Sequence, residues 1–285
     1  MLCFHHNDLD GRAAAAVVRM WAEGKSEYPS RFVEVDYKDT IDLSGINVNE
    51  LVVIVDFSFK PETMKLLLGI TENVVWCDHH VTAKSYDYGR ELKGYRDFTE
   101  KGLSGCECTW MYFHGSSNYP EYLSLIGDYD AWRMKQRPQC LQFYEGMKMI
   151  SHGPTESIWD RLSMDQALDI GQIIESGKTV IRYRDMYCAE LCKQLGYETE
   201  IDGVKAYACN QFRFGSQGFA ERMQQYPICL AYAHNGNVFT VSLYSDCGID
   251  VSVIAKRHGG GGHKGAAGFT CTTLPFQTLT KVSRK

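Results

Sequence analysis

No stretch of the sequence approaches the roughly 18 to 20 consecutive apolar residues that a membrane-spanning helix needs. The opening MLCFHHNDLDG has neither a basic segment nor the apolar run of a secretory signal, so a cytoplasmic protein is expected and a membrane partner is not. A large charge of either sign is missing as well. A net charge of −5 over 285 residues argues against coating long duplexes by charge alone, yet allows a short anionic substrate held by a few basic groups and metal. No internal repeat or low-complexity tract is present. Paired cysteine spacings are missing too: the eleven cysteines are odd in number, and several (Cys3, Cys77, Cys209, Cys229) sit inside apolar segments, which reads as reduced thiols. Cys106, Cys108 and His114 lack the second half of a four-ligand zinc site, and Cys188 and Cys192, four apart on a predicted helix, read as small core residues.

What is present is a folded α/β pattern, with 44% apolar and 12% aromatic residues and enough length for about two domains. Up to about Asp130, short apolar runs alternate with helical patterns. LCFHH, RFVEVDY, ELVVIVDFSF and NVVWCDHH read as strands, GRAAAAVVRMWAEG and PETMKLLLGI as helices. The Val/Ile-rich, hardly alternating runs suit strands covered on both faces, as in an open, mostly parallel sheet. From Pro154 to Leu195 apolar residues recur at helical spacing, which predicts a helical connector. Beyond it EIDGVKAYAC, PICLAYAHN and GNVFTVSLYS return to strands, with a turn at His234 to Gly236 and a basic tail, KVSRK. The expected layout is an α/β domain over 1–150, a helical connector over 151–195 and a smaller α/β domain over 196–285.

Strand carboxyl ends in an open parallel sheet share one edge, where ligands bind. Four places put acids or imidazoles there. In HHNDLDG, His6, Asp8 and Asp10 recur at every second residue and would project the same way from an extended chain. Asp56 ends LVVIVD, Asp78, His79 and His80 follow NVVWC, and Asp128 and Asp130 follow YPEYLSLIG. Taken singly, each has an ordinary reading, such as a helix N-cap or a turn carboxylate. Together they are costly, because crowded carboxylates repel one another and raise each other's pKa values unless divalent metal joins them. Oxygen and imidazole donors without thiolates suit manganese or magnesium over zinc or iron. Enough acids for two ions, one of them bridging, point to in-line attack of water on phosphorus.

HHNDLDG, IVDFS, WCDHH and IGDYDAW, in this order, resemble motifs I to IV of the DHH phosphoesterase superfamily, and GGGGHKGAAGF resembles the glycine-rich signature of the DHH-associated domain of its RecJ and nanoRNase branches. The resemblance covers nearly the whole chain. It implies two divalent ions, manganese first, with magnesium or cobalt as substitutes. His6 and Asp8 would bind one ion and Asp10 the other, Asp56 would bridge, and His79 with Asp128, favoured over Asp130, would complete the second. His80 would lie close to the scissile phosphate as a substrate-binding or leaving-group-protonating residue, with Asp78 orienting an imidazole.

The same segment reads independently as a phosphate or nucleotide site. A polyglycine turn exposes amides to an anion, and Lys256, Arg257, His258, His263 and Lys264 are cationic or can become so. By resemblance, His263 and the amides of Gly260, Gly261 and Gly262 would hold the substrate's end, with Lys264 and Arg257 beside them, facing the metals across an interdomain cleft. VSLYSD departs from the family's S-x-R-type stretch by placing Tyr244 where arginine is expected, and Arg213 or Arg257 could substitute. Ser104, in GLSGCECTW, is expected to cap a helix. The preferred function is hydrolysis of short oligonucleotides or dinucleotides to 5′ nucleotides, by a monomer or homodimer that does not bind long duplexes. The alternatives are hydrolysis of 3′-phosphoadenosine 5′-phosphate or cyclic dinucleotides, or a catalytically inactive nucleotide-binding module.

Overall fold

The structure, a computed structural model, describes residues 1–23, 25, 31–164 and 167–277, so the basic tail KVSRK lies outside the described residues. The chain divides into two compact units, Met1–Thr179 and Val180–Lys285.

The first unit is built on four parallel strands, β1 (Leu2–His6), β2 (Arg31–Val35), β3 (Val52–Val55) and β4 (Val74–Cys77), in the order β2-β1-β3-β4. Helices α1 (Leu9–Glu23) and α2 (Pro61–Ile70) are crossovers, and α3 (Gly105–His114), α4 (Glu121–Asp130), α5 (Gln139–Met147) and α6 (Ile158–Ser163) follow the sheet. Both faces of β1, β3 and β4 are covered, as the continuous apolar runs predict, while the edge strand β2 is largely exposed. Cys3, Val53, Val55, Val75 and Cys77 pack towards α1 and the later helices, while Leu2, Phe4, Val52, Ile54, Val74 and Trp76 pack with Met64 and Leu67 of α2. Removing each such Val or Ile side chain from water contributes about 1.5–3 kcal/mol. Ala13 to Ala16 are wholly buried, and their small side chains let α1 lie close to the sheet and to α3. The strand order reverses direction of growth between β1 and β3, and the carboxyl ends at such a point open a crevice.

Helix α7 (Ala167–Leu195) runs through the division between the units. The second unit carries β5 (Tyr197–Ile201), β6 (Val204–Asn210), α8 (Arg222–Gln225), β7 (Ile228–His234), β8 (Phe239–Tyr244), α9 (Val251–Arg257), β9 (Gly261–His263) and β10 (Ala266–Cys271). Its sheet is mixed, in the order β5-β6-β7-β8-β10-β9, with β6 and β7 parallel and the other pairs antiparallel. EIDGVKAYAC, read as one strand from its apolar pattern, is a hairpin, because Asp202 and Gly203 turn the chain with φ of 49° and 79°. Asp250 caps α9 by accepting from the Ser252 amide at 3.0 Å, and Val251, Ile254 and Ala255 then pack on Leu230, Val241 and Leu243 of the sheet. No helix among the described residues is long and apolar enough to cross a membrane.

Candidate metal centre

The first motif is not extended beyond His6. β1 ends there, the chain bends through Asn7 and Asp8, and Asp10 already lies in the first turn of α1. The three side chains therefore meet through a strand, a bend and a helix rather than through strand alternation. Asp8 splits its carboxylate: Oδ1 accepts from the Gly11 amide at 2.9 Å, securing the start of α1, and Oδ2 lies 2.7 Å from His6 Nδ1. Asp10 is held at the N-terminus of α3, where its oxygens accept from the amides of Gly105 (2.6 Å) and Cys106 (3.1 Å) and from Ser104 Oγ (2.9 Å). Ser104 occupies the N-cap position of α3 as expected, its amide donating to Glu107 Oε2 at 2.9 Å, while its hydroxyl serves Asp10.

Asp56 follows β3 with a left-handed φ of 52°, which turns its carboxylate out of the strand direction, while its amide still donates to Cys77 O at 2.9 Å. It is 1% exposed, and neither carboxylate oxygen receives a hydrogen bond. One oxygen points each way. Oδ2 lies 3.7 Å from His6 Nδ1, and Oδ1 lies 3.1 Å from His79 Nε2. Room for it depends on Gly105, where a Cβ would stand 2.4 Å from Asp56 Cβ and 2.5 Å from Oδ1.

After β4, the fully buried Asp78 accepts from the Ser58 hydroxyl, from the amides of His79 (2.8 Å) and His80 (3.3 Å), and from His80 Nδ1 at 2.8 Å. It thereby fixes the His80 ring with Nε2 directed away from itself. The His79 ring, unlike that of His80, is not bonded to Asp78 and turns Nε2 towards Asp56, towards Asp130 Oδ2 at 3.3 Å and towards Asp10 Oδ2 at 3.9 Å.

The fourth motif lies in the last turn of a helix, not at a strand end, and this changes which acid reaches the cluster. Asp130, not the favoured Asp128, is brought to His79. Asp128 is buried elsewhere, its oxygens accepting from the amides of Lys135 (3.1 Å) and Gln136 (2.7 Å), with Arg133 Nε 3.6 Å away. Asp128 thus secures the turn that follows α4.

Ionisation within the cluster is strongly perturbed. Burial raises the Asp56 carboxyl well above its ordinary value, and Asp10 and Asp8 add to the rise. Burial likewise raises Asp130, reinforced by Asp10 and Asp56. Burial alone would lower His6, but Asp56 and Asp8 override it and push the imidazole up to about 11. Asp8, against the effect of burial, is drawn down to about 2 by His6. Burial also opposes the charged forms of His79 and His80, yet Asp130 and Asp10 raise the first, and Asp78 and Asp56 the second.

Crowded carboxylates that hold one another protonated are the condition a divalent cation relieves. Donor atoms of His6, Asp8 and Asp56 lie within 4.8 Å of one another, as do those of Asp10, His79 and Asp130 and those of Asp56, His79 and His80. His6 Nδ1 and both Asp56 oxygens are buried and make no well-aligned hydrogen bond, although they stand within 2.7–3.7 Å of one another's imidazole and carboxylate neighbours, the arrangement expected of metal ligands. The donor set, imidazole and carboxylate without thiolate, suits hard or borderline divalent ions. Tyr37, just beyond β2 at the same sheet edge, stacks on Phe57 at 4.5 Å and stands 5.6 Å from the rings of both His6 and His80. Its place after a strand was the only sequence signal for it.

At the glycine-rich end one of the three amides expected to cradle an anion is already engaged. Gly260 N already donates to Ala255 O at 2.8 Å, closing the C-terminal end of α9, where the helix dipole repels an anion. Gly261 and Gly262 belong to β9, paired with β10. Arg257 and His258 lie beside Asp202, at 3.3 and 3.0 Å. His263 and Lys264 remain exposed at the β9–β10 hairpin. Tyr244 packs 6.2 Å from Phe219 and among the buried residues beneath β7.

No protein-family model matches the chain. It is 26% identical over 249 residues to an uncharacterized protein of Acanthamoeba polyphaga mimivirus, covering 81% of this chain and 56% of that relative, so the chain spans little more than half the relative's length. Solved structures match along almost its whole length. An exopolyphosphatase-related protein from Bacteroides fragilis superposes with a TM-score of 0.55 at 10% identity over 96% of this chain and 87% of its own. A pGpG-specific phosphodiesterase from Vibrio cholerae gives 0.53 at 12% identity over 95% and 93%. A manganese-bound exonuclease RecJ gives 0.53 at 12% identity over 94% and 84%. The chain has the fold of the DHH phosphoesterases.

Proposed function

We propose that the chain is a metal-dependent phosphodiesterase that hydrolyses short oligonucleotides or dinucleotides to 5′ nucleotides. The observation that carries this reading is the buried Asp56 carboxylate, unpartnered on both oxygens, with one directed to His6 and the other to His79. His6 and Asp8 would hold one divalent ion, Asp10, His79 and Asp130 a second, and Asp56 both. Divalent ions held there would supply charge neutralisation for the phosphoryl oxygens of an in-line displacement.

The chain's own groups supply the rest. Hydrolysis forms a P–O bond from water and breaks the P–O bond to a leaving 3′ oxygen, which must gain a proton. His80 is the proton donor. Asp78 and Asp56, against the effect of burial, raise its imidazole pKa and so favour the protonated form, and the Nδ1 bond to Asp78 leaves Nε2 as the donating atom. Ser58 fixes Asp78 in turn. The helix start at Gly105 and Cys106 holds Asp10 so that its carboxylate need not reorganise when charge develops. Residues 1–150 would form the catalytic domain, 151–195 the connector and 196–285 a substrate-binding domain that presents His263 and Lys264 to the substrate's end. Manganese is the favoured ion, which the metal named for RecJ supports, as the dinucleotide named for the Vibrio enzyme supports the substrate class.

Product analysis tests the reading. Labelled di- to hexanucleotides, 3′-phosphoadenosine 5′-phosphate and cyclic dinucleotides are incubated with manganese, with and without EDTA. Release of 5′ mononucleotides from the short linear substrates, abolished by EDTA and by Asp56→Ala, is expected. Turnover that survives either treatment overturns the metal mechanism, and turnover confined to the other substrates overturns the substrate class.

A further inference from the structure

A cavity of about 290 Å³ opens beside Asp8, lined by Asn7, Leu9, Arg12, Tyr144, Lys148 and His152 among others. Its walls come from the β1–α1 bend, from α5 and from the segment after it, all within the first unit. At the small end of ligand sites, which begin near ~300 Å³, it suits one planar group rather than an extended chain. Because Asp8 is both a wall of the cavity and 2.7 Å from His6, an occupant sits against the metal cluster.

The charges at the cavity are already balanced. Arg12 Nε pairs with Glu34 at 2.7 Å, and Lys148 Nζ pairs with Glu145 at 3.0 Å. A phosphate would find no net positive charge here, whereas a neutral heterocycle meets hydrogen-bonding groups without desolvating an unpaired ion. The Arg12 guanidinium is also oriented. His152 Nδ1 lies 2.7 Å from Ile150 O, a group that only accepts, so the proton is on Nδ1 and Nε2 accepts from Arg12 Nη1 at 2.9 Å. With Nε and Nη1 tethered, the guanidinium of Arg12, a lining residue of the cavity, keeps Nη2 without a partner among the described residues. Leu9, Met147 and the Tyr144 ring, the last stacked on Tyr129 at 3.8 Å, give the apolar surfaces that a flat ring requires.

We infer that this cavity is a nucleobase subsite for a nucleotide flanking the scissile phosphate, and that Arg12 selects guanine there. Guanine offers two acceptors, O6 and N7, to donors such as the Arg12 and Lys148 side chains, while adenine places an amino donor where O6 would be. The inference rests on the phosphodiesterase reading for its biological meaning, but base binding can be measured without turnover.

Wild type, Arg12→Gln and Lys148→Gln are titrated with GMP and AMP by calorimetry, and guanine and adenine dinucleotides are compared by kcat/KM with manganese. Expected is a preference for GMP of about tenfold, the scale of one good guanidinium–guanine contact, falling towards one in Arg12→Gln and partly in the half-exposed Lys148→Gln. Equal binding of GMP and AMP to wild type, or a preference unchanged in both variants, overturns the subsite. Discrimination in binding without any hydrolysis supports the subsite and overturns the proposed function instead.

Discussion

Replacing Asp128 and Asp130 separately by Asn distinguishes an acid that builds the turn after α4 from one that belongs to the metal cluster. Asp128 uses both oxygens on main-chain amides, Oδ1 on Lys135 and Oδ2 on Gln136, and faces Arg133. Asparagine keeps one acceptor and sets an NH₂ against the other amide. An unsatisfied buried amide costs about 1–3 kcal/mol, and the loss of charge beside Arg133 adds to it, so the whole is about 2–4 kcal/mol. At roughly 2–4 °C per kcal/mol for a unit of this size, Asp128→Asn should lower the melting temperature by on the order of 10 °C. Asp130→Asn should leave the chelated protein as stable as wild type or more so, because burial and the carboxylates of Asp10 and Asp56 already oppose its charge. Calorimetric melts with EDTA and with saturating manganese read both effects. A ligand at 100 times its dissociation constant stabilises by about 2.7 kcal/mol, and that increment should persist in Asp128→Asn and shrink in Asp130→Asn. The reasoning is refuted if Asp128→Asn melts like wild type but no longer responds to manganese while Asp130→Asn responds fully.

Gly105→Ala should cost about 1–3 kcal/mol by overpacking, since its Cβ would stand 2.4 Å from Asp56 Cβ. Its activity should fall by about 100-fold, the scale of a 1 Å misplacement, and wild-type turnover would show that Asp56 need not stay where it is. The pH dependence of the chelated protein has a definite sign. Burial among carboxylates gives Asp56 a higher pKa folded than unfolded, so its contribution to stability is greatest below about pH 4 and is lost as pH rises towards the folded value. Asp56→Asn should flatten that slope in melts from pH 4 to 8; an unchanged slope assigns the dependence to other groups. His263→Ala should raise KM for dinucleotides far more than for a small chromogenic phosphodiester, and equal effects on the two would remove the β9–β10 hairpin from substrate binding.

Much of the first unit was legible because its signals are local. Short apolar runs, Val/Ile-rich in ELVVIVD and NVVWC, suit strands covered twice, and these runs and LCFHH each end in an acid or imidazole, so His6, Asp56 and His79 could be assigned to one sheet edge before their distances were known. The glycine-rich segment was legible only in part, for an equally physical reason. Composition shows that amides can be exposed, but whether they are depends on hydrogen bonds such as Gly260 to Ala255, which form only once α9 and β10 are in place. The pairing of Arg257 with the Asp202 turn, 55 positions away, likewise carries no sequence signal. Arg12 and His152 stand 140 positions apart and carry no joint pattern at all.

The sequence by itself determined the chemistry available to this protein: which donors stand at strand ends, and that none of the clustered ones is a thiol. Tertiary structure decided which of them are used. Asp128 and Asp130 lie two residues apart on a helix that turns about 100° per residue, so they face nearly opposite sides, and only the packing of α4 against its neighbours selects the side that meets His79.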